Sequence, residues 1–323
     1  MSNTNFPEND TKEEDIEFVS IEVEEDSVNS ESSSDSAITA PDTPAKPKLA
    51  KEDIIRYVVM GISLIVFIAA AVILIYYLVM FVKSRKLNDD IDSSARETQD
   101  ATTEFVDEDY NRYHFEINNV IDFELLESIN PSVAGWISFP LLGIEYPIAQ
   151  HESSNDYYLK HAFDGSEMYT GAIYLDTNAK ADWSDMKITV FGHRLDEVDG
   201  GMFTKLLKYD SEDFYKKNKD RNLFYIYTPE SVRVYEVFSV TDVTYEEHAF
   251  VFDARIPSTC TSTEFDEYIS KIELYDTEIE ITDDDQILTL YTCQAAAATG
   301  IRHMVHGKLI SIIDNDDINT LDK

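Results

Sequence analysis

The sequence predicts a mainly β domain, closed into a barrel of about eight strands with a few short helices, and preceded by one membrane-spanning helix. Three observations carry this. Short apolar runs rich in Val, Ile, Tyr and Phe recur through the last two-thirds of the 323-residue chain, each bounded by Gly, Pro, Asn or Asp. Ahead of them, Tyr57 to Val82 runs 26 residues without a charge. Helical periodicity after that stretch is confined to short segments between the apolar runs.

Residues 1–50 are strongly acidic, with Ser, Asn, Thr and Pro filling the remainder. Such a composition cannot bury enough apolar surface to offset its ordering entropy, so it reads as a disordered head. Residues 57–82 follow as a transmembrane helix. At ~1.5 Å per residue the stretch exceeds the ~30 Å hydrocarbon core. It begins too far into the chain, and runs too long, for a cleaved signal peptide, and Lys83-Ser84-Arg85-Lys86 is no small-residue cleavage site. Lys46, Lys48, Lys51 and Arg56 on one side nearly balance Lys83, Arg85, Lys86 and Arg96 on the other, so flanking charge does not orient it. Residues 83–115, acidic and weakly periodic, read as a juxtamembrane stalk.

A short helix over 119–129 puts Leu125, Leu126 and Ile129 on one face and stops at Asn130-Pro131. Strands are expected over 135–139, 144–148, 171–175, 188–191, 223–227, 232–243, 287–292 and 304–312. Closure of these into a barrel removes exposed edges. Helical pattern interrupts them at 202–215 and at 262–274, where Thr263 is the expected cap. The barrel domain is placed at 116–314 and a C-terminal tail at 315–323.

Composition excludes several function classes. The chain holds 63 acidic and 26 basic residues, a formal charge of −37. Phosphate binding needs clustered Lys and Arg, so nucleic acid is not expected as a partner. Two cysteines in so long a chain rule out a disulfide scaffold, although a single Cys260–Cys293 bridge stays open.

The chemistry-bearing residues sit at the ends of apolar runs. Lys187 to Phe191 leads through Gly192 to His193; Thr289-Leu290-Tyr291-Thr292 ends on Cys293; Arg302 heads the last run. Singly, each has a bland reading: a buried small hydrophobe, a turn residue, a surface charge. Together they supply a thiolate nucleophile, a base that can also protonate a leaving amine, and a cation for an oxyanion. His303 and His306 flank Met304-Val305 at a spacing that points to opposite faces of a strand, so no metal site is expected there. His114, His151, His161 and His248 read as surface residues, and Asp283-Asp284-Asp285 as a turn.

With these residues in view, the chain resembles the class B sortases, membrane-anchored cysteine transpeptidases of Gram-positive bacteria. Thr289-Leu290-Tyr291-Thr292-Cys293, then Arg302 and Met304-Val305-His306-Gly307-Lys308-Leu309, is similar to the family's Thr-Leu-x-Thr-Cys and downstream Arg signature. Phe191-Gly192-His193 followed by Gly200-Gly201-Met202-Phe203 resembles the class B histidine segment. Asn130-Pro131-Ser132-Val133-Ala134-Gly135-Trp136-Ile137, Tyr146-Pro147-Ile148 and Asn155-Asp156-Tyr157-Tyr158-Leu159 resemble the helix, first strands and loop at the family's N-terminal end. The resemblance covers about Phe123 to Ile312. Arg194, Tyr291 and the bland run Gln294 to Thr299 depart from the family pattern and bear on substrate preference.

The resemblance implies an eight-stranded sortase-type barrel and cleavage of a C-terminal sorting signal after Thr. A thioacyl-enzyme would follow, then transfer to a peptidoglycan-precursor amine. It implies Cys293 as nucleophile, His193 as acid and base, Arg302 at the oxyanion or substrate carbonyl, and Thr292 and Tyr291 in substrate binding. No cofactor or metal is implied. The implied partners are secreted surface proteins bearing a sorting signal, a lipid-linked peptidoglycan precursor, and the membrane through one helix. The implied placement is single-pass, with the head cytoplasmic and the barrel extracellular. Alternatives remain: a pilin-polymerising sortase, a simple cysteine endopeptidase, or a catalytically idle membrane-anchored adhesin or sensor.

Overall fold

The computed structural model describes residues 50–106, 114–195, 201–244, 261–293 and 300–315. The expected acidic head (but for Ala50), the tail beyond Asn315, Cys260, His248 and the Gln294–Thr299 run lie outside the described residues. The chain divides into two compact units, Met1–Ile62 and Ser63–Lys323. In the first, the described residues are Ala50 and the opening turns of a helix.

That helix, α1, spans Lys51–Ala95, with Glu52 and Asp53 in its first turn where the helix dipole favours acids. It is long and apolar enough to cross a membrane, and the apolar side chains of its spanning stretch are exposed. The stalk expected over 83–115 is, in its first half, the end of this helix. Ser84, Ile91 and Ala95 are buried and Leu87 packs with them, a stripe at i, i+3, i+7 and i+11 that faces the barrel wall. Ser84 Oγ lies 2.6 Å from Thr170 Oγ1, and burying Ile91 contributes about 2 kcal/mol to holding these turns down. Arg96 makes two hydrogen bonds to Asp92, at 2.6 and 2.8 Å, where the helix stops. Strands β1 (Arg96–Val106) and β2 (His114–Ile121) then pair antiparallel as a separate two-stranded sheet.

Helix α2 (Phe123–Ile129) starts on Asp122, whose carboxylate accepts from Leu125 N at 2.9 Å, and it ends at Asn130, before the proline. The barrel strands are β3 (Val133–Phe139), β4 (Ile144–Ala149), β5 (Ile173–Leu175), β6 (Lys187–Phe191), β7 (Leu223–Tyr227), β8 (Ser231–Val243), β9 (Ile287–Cys293) and β10 (Arg302–Asp314). They close in the order β10-β8-β7-β3-β4-β5-β6-β9, all eight at the positions expected. Two neighbouring pairs run parallel, β4 with β5 and β6 with β9; the other pairs are antiparallel.

Alternation along each strand separates two cores. Ile137, Phe139, Val190, Phe224, Tyr235, Leu288, Leu290 and Val305 fill the interior. Trp136, Tyr174, Phe191, Tyr225 and Val234 form a second core outside the wall, under α1 and α2. The helix expected over 202–215 is two pieces, a 3-10 helix (Phe203–Asp210) and α3 (Glu212–Lys217). Ser211 breaks them because its hydroxyl caps α3 by accepting from Phe214 N. Helix α4 covers Ser262–Ile269, shorter than expected, and its cap is Thr261 rather than Thr263. Thr261 and Glu264 form a capping box, while Thr263 bonds Asp283.

His306 lies beneath α4, fully buried, its ring 5.5 Å from that of Phe265. Its nitrogens meet the hydroxyls of Thr289 and Thr241 at 2.9 and 3.0 Å. A hydroxyl can give or take a hydrogen, so a neutral imidazole is fully satisfied there. Burial pushes its pKa down to about 3. The unfolded chain binds a proton near the ordinary histidine value and the folded one does not, so this group withdraws stability as pH falls below ~6.5, by about 1.4 kcal/mol per unit down to the folded pKa. The melting temperature of wild type should therefore drop more steeply between pH 7 and 5 than that of His306→Gln, measured side by side. Parallel slopes would sink this account.

Candidate active site

The three chemistry-bearing residues sit on consecutive strand ends. β6 and β9 run parallel with Phe191 opposite Tyr291, and Gly192 N donates to Tyr291 O at 3.0 Å. Two residues beyond the last pair come His193 on one strand and Cys293 on the other, so both emerge at the same barrel rim. β10 runs back from that rim, and its first residue, Arg302, is the direct partner of Cys293. Neighbouring strands lie ~5 Å apart. The order His193, Cys293, Arg302 across β6, β9 and β10 thus gathers residues separated by about a hundred positions in sequence.

Thr292 and Tyr291 part company. Leu288 and Leu290 point into the interior, and Thr292 follows their alternation: it is 1% exposed, and its hydroxyl has no hydrogen-bond partner among the described residues. Tyr291 is on the outer face, its ring edge-on to Phe191 at 5.1 Å.

His193 rests in a cradle built by the loop after β4. Its Nε2 lies 2.9 Å from the carbonyl oxygen of Leu159. A carbonyl only accepts, so Nε2 carries hydrogen and Nδ1 is the nitrogen left for proton exchange. The loop folds back through Ala172 N to Tyr158 O at 2.9 Å, and through Gly171 at φ +61°. A Cβ on Gly171 would meet the Tyr158 carbonyl oxygen and lie 2.9 Å from His193 Cδ2, so the histidine packs against bare backbone. The preceding residue is Thr170, the one joined to Ser84 of α1. His151 and His161, read from sequence as surface residues, are partly exposed and stack on either side of Tyr157, with centroids at 4.5 and 4.0 Å.

Beyond His193 the chain is tied down at once. Phe203 N donates to His193 O at 3.0 Å, Leu195 N donates to Thr204 Oγ1 at 2.8 Å, and Arg194 bridges to Met202. Met202 stands at φ 51° and ψ −130°, a conformation few non-glycine residues hold, and donates its N–H to Tyr146 Oη at 3.1 Å.

Next to the half-buried Arg302, His303 is fully buried on the interior side. Its Nδ1 lies 2.9 Å from Asp242 Oδ1 and 3.1 Å from Asp210 Oδ1, and its Nε2 3.2 Å from the Leu206 carbonyl oxygen. Burial raises the pKa of Asp210, with the charges of His303 and Arg194 opposing. These three side chains bring one potential ligand atom each to within 4.8 Å. Sequence reading did not single out Asp210 or Asp242. The available signal was an aspartate inside the apolar run Val240-Thr241-Asp242-Val243.

Comparison with known proteins matches the chain to one family. The sortase domain family model matches residues 137–310. Sortase B of Listeria monocytogenes is 29% identical over 202 residues, covering 60% of this chain and 77% of that protein. Sortase B of Staphylococcus aureus is 26% identical over 192 residues, covering 59% and 75%. Among solved structures, sortase B from Bacillus anthracis in complex with AAEK1 superposes with a TM-score of 0.54 at 28% identity, covering 72% of this chain and 99% of that one. Sortases are membrane-anchored cysteine transpeptidases, and α1 fits the anchor. A closed eight-stranded barrel, a family model matching more than half the chain and curated relatives that are sortase B lead to one conclusion: this chain belongs to the sortase family, class B.

Proposed function

We propose that the chain is a transpeptidase that cleaves a C-terminal sorting signal after Thr and transfers the upstream protein to a peptidoglycan-precursor amine. The observation that carries this reading is the strand register, which makes His193, Cys293 and Arg302 neighbours at one rim. In the first half-reaction the Cys293 thiolate attacks the Thr carbonyl carbon. Arg302 holds the developing oxyanion by charge-assisted hydrogen bonds. The C–N bond breaks as His193, through Nδ1, protonates the departing amine, leaving a thioester. In the second, the acceptor amine attacks that thioester, His193 removes its proton, and the thiolate leaves as the new amide forms.

The substrates follow from this chemistry: secreted surface proteins bearing a sorting signal, and a lipid-linked precursor with a free amine. Both are reached only outside the cell, so the barrel faces the wall and residues before the spanning stretch stay cytoplasmic. Thr292 and Tyr291 shape the rim, Tyr291 from the outer face and Thr292 from within.

The decisive assay incubates the detergent-solubilised full chain with a library of sorting-like peptides, with and without an added amine. A new amide bond that requires both amine and Cys293 is the expected result. Hydrolysis unaffected by amine would point to an endopeptidase, and no acyl-enzyme at all would leave an idle barrel. Arg302→Lys keeps the charge but loses the planar fork. Its turnover number should fall about 10²-fold with little change in KM, as for a lost oxyanion donor. Wild-type turnover in that variant would remove Arg302 from the site.

A further inference from the structure

His303 and His306 lie three residues apart on β10, both fully buried, yet their surroundings are opposite in kind. His306 meets two hydroxyls, which serve a neutral ring. The partners of His303 are the Asp242 and Asp210 carboxylates at Nδ1 and the Leu206 carbonyl at Nε2. Ionised carboxylates and the carbonyl oxygen accept, so a ring with hydrogen on both nitrogens meets all of these partners. A neutral ring would leave one nitrogen lone pair aimed at an oxygen, most directly Nε2 at the buried Leu206 carbonyl.

The partners come from three elements. Asp242 is the direct antiparallel partner of His303 on β8, while Leu206 and Asp210 belong to the 3-10 helix that follows His193 in the chain. Arg302, the residue before His303, partners Cys293 across β9. Arg194 is the further charge felt by Asp210, and the neutral His306 stands beyond. One buried ring therefore ties the start of β10 to β8 and to the segment that pins the backbone of His193.

We infer that His303 is a positioning residue, a buried imidazolium that clamps Arg302 at its station opposite Cys293 and in register with the His193 segment. This role deepens the transpeptidase reading and rests on it. It touches no reacting atom; it fixes where the guanidinium stands, and a shift of about an ångström in a catalytic group costs about 10²-fold.

Two measurements test it. The first needs no activity. In the ¹⁵N-labelled full chain in nanodiscs near pH 7.5, the ring nitrogens of His303 should both show attached hydrogen, while His306 shows a single protonated nitrogen. A neutral His303 ring would overturn the clamp, as would loss of the Nδ1 hydrogen on adding stoichiometric Zn²⁺, which would mark a metal site instead. The second is a double-mutant cycle in the amide-forming assay. His303→Gln should lower turnover roughly 10- to 100-fold with little change in KM, and adding it to Arg302→Lys should cost little more than Arg302→Lys alone. Multiplying losses would mean that His303 acts only through general stability, and the positioning role would fall. Should wild type form no amide, the transpeptidase reading fails by itself, and the protonation measurement still decides the charge on His303.

Discussion

Replacing Cys293 by Ala is expected to abolish acyl-enzyme formation, a fall of roughly 10⁴-fold or more, because no other thiol lies among the described residues of the rim. His193 can move a proton and Arg302 can stabilise charge, but neither can carry the acyl group between the two half-reactions. The fold should survive. One sulfur at the last position of β9 contributes little to a barrel held by eight paired strands, so the melting temperature should shift by no more than about 1 kcal/mol warrants. The comparison variant is Cys260→Ala, which should be silent. Mass spectrometry of each variant after incubation with a sorting-like peptide reads the acyl adduct directly. An adduct on Cys293→Ala, or its loss on Cys260→Ala, would reverse the assignment of the nucleophile.

The second large effect is expected at a residue with no side chain. Gly171→Ala must hold a Cβ where Tyr158 contributes its carbonyl oxygen and His193 its Cδ2, and at φ +61° the added methyl costs about 1–2 kcal/mol in backbone strain alone. The loop can relieve the clash only by moving away from the imidazole, which opens the Leu159–Nε2 hydrogen bond and frees the ring to turn. Turnover should fall about 10²-fold, with a loss of roughly 2–4 kcal/mol in stability. Thr170→Val is the companion: it removes the bond to Ser84 without adding bulk at the ring, and should cost stability far more than rate. Full activity in a folded Gly171→Ala protein would show that His193 does not need this cradle.

The strands were legible because their residues are β-branched and aromatic runs cut off by turn formers, and such runs hold their conformation in most settings. Leu223 to Tyr227 lies where the pattern puts it, to the residue. Elsewhere local signals competed. Thr261 and Thr263 are both plausible caps, and Glu264 at the third helical position, which completes a box with the first of them, decides between them. The turns after Lys83 read as stalk because only Leu87, Ile91 and Ala95 on their buried stripe are apolar. Ser84 joins that stripe only because Thr170 waits opposite it. Within the candidate site, residue types alone point to Cys293, His193 and Arg302 as candidates, but no sequence pattern shows that Gly171 touches an imidazole or that Asp210 and Asp242 converge on His303. Those contacts join positions dozens of residues apart, and only the closed barrel creates them.

That closure has a consequence for when the thiol can become reactive. Lys187 pairs with Ile287, so β6 and β9 meet only after a loop of about a hundred residues has been drawn shut. Pairings so distant in the chain, and parallel ones in particular, form late, since closure entropy must be met before their contacts reward it. Until they form, Cys293 has no histidine beside it and behaves as an ordinary thiol, mostly protonated near neutral pH. On the mechanism proposed above, the newly made chain therefore carries its nucleophile unarmed until these strands meet.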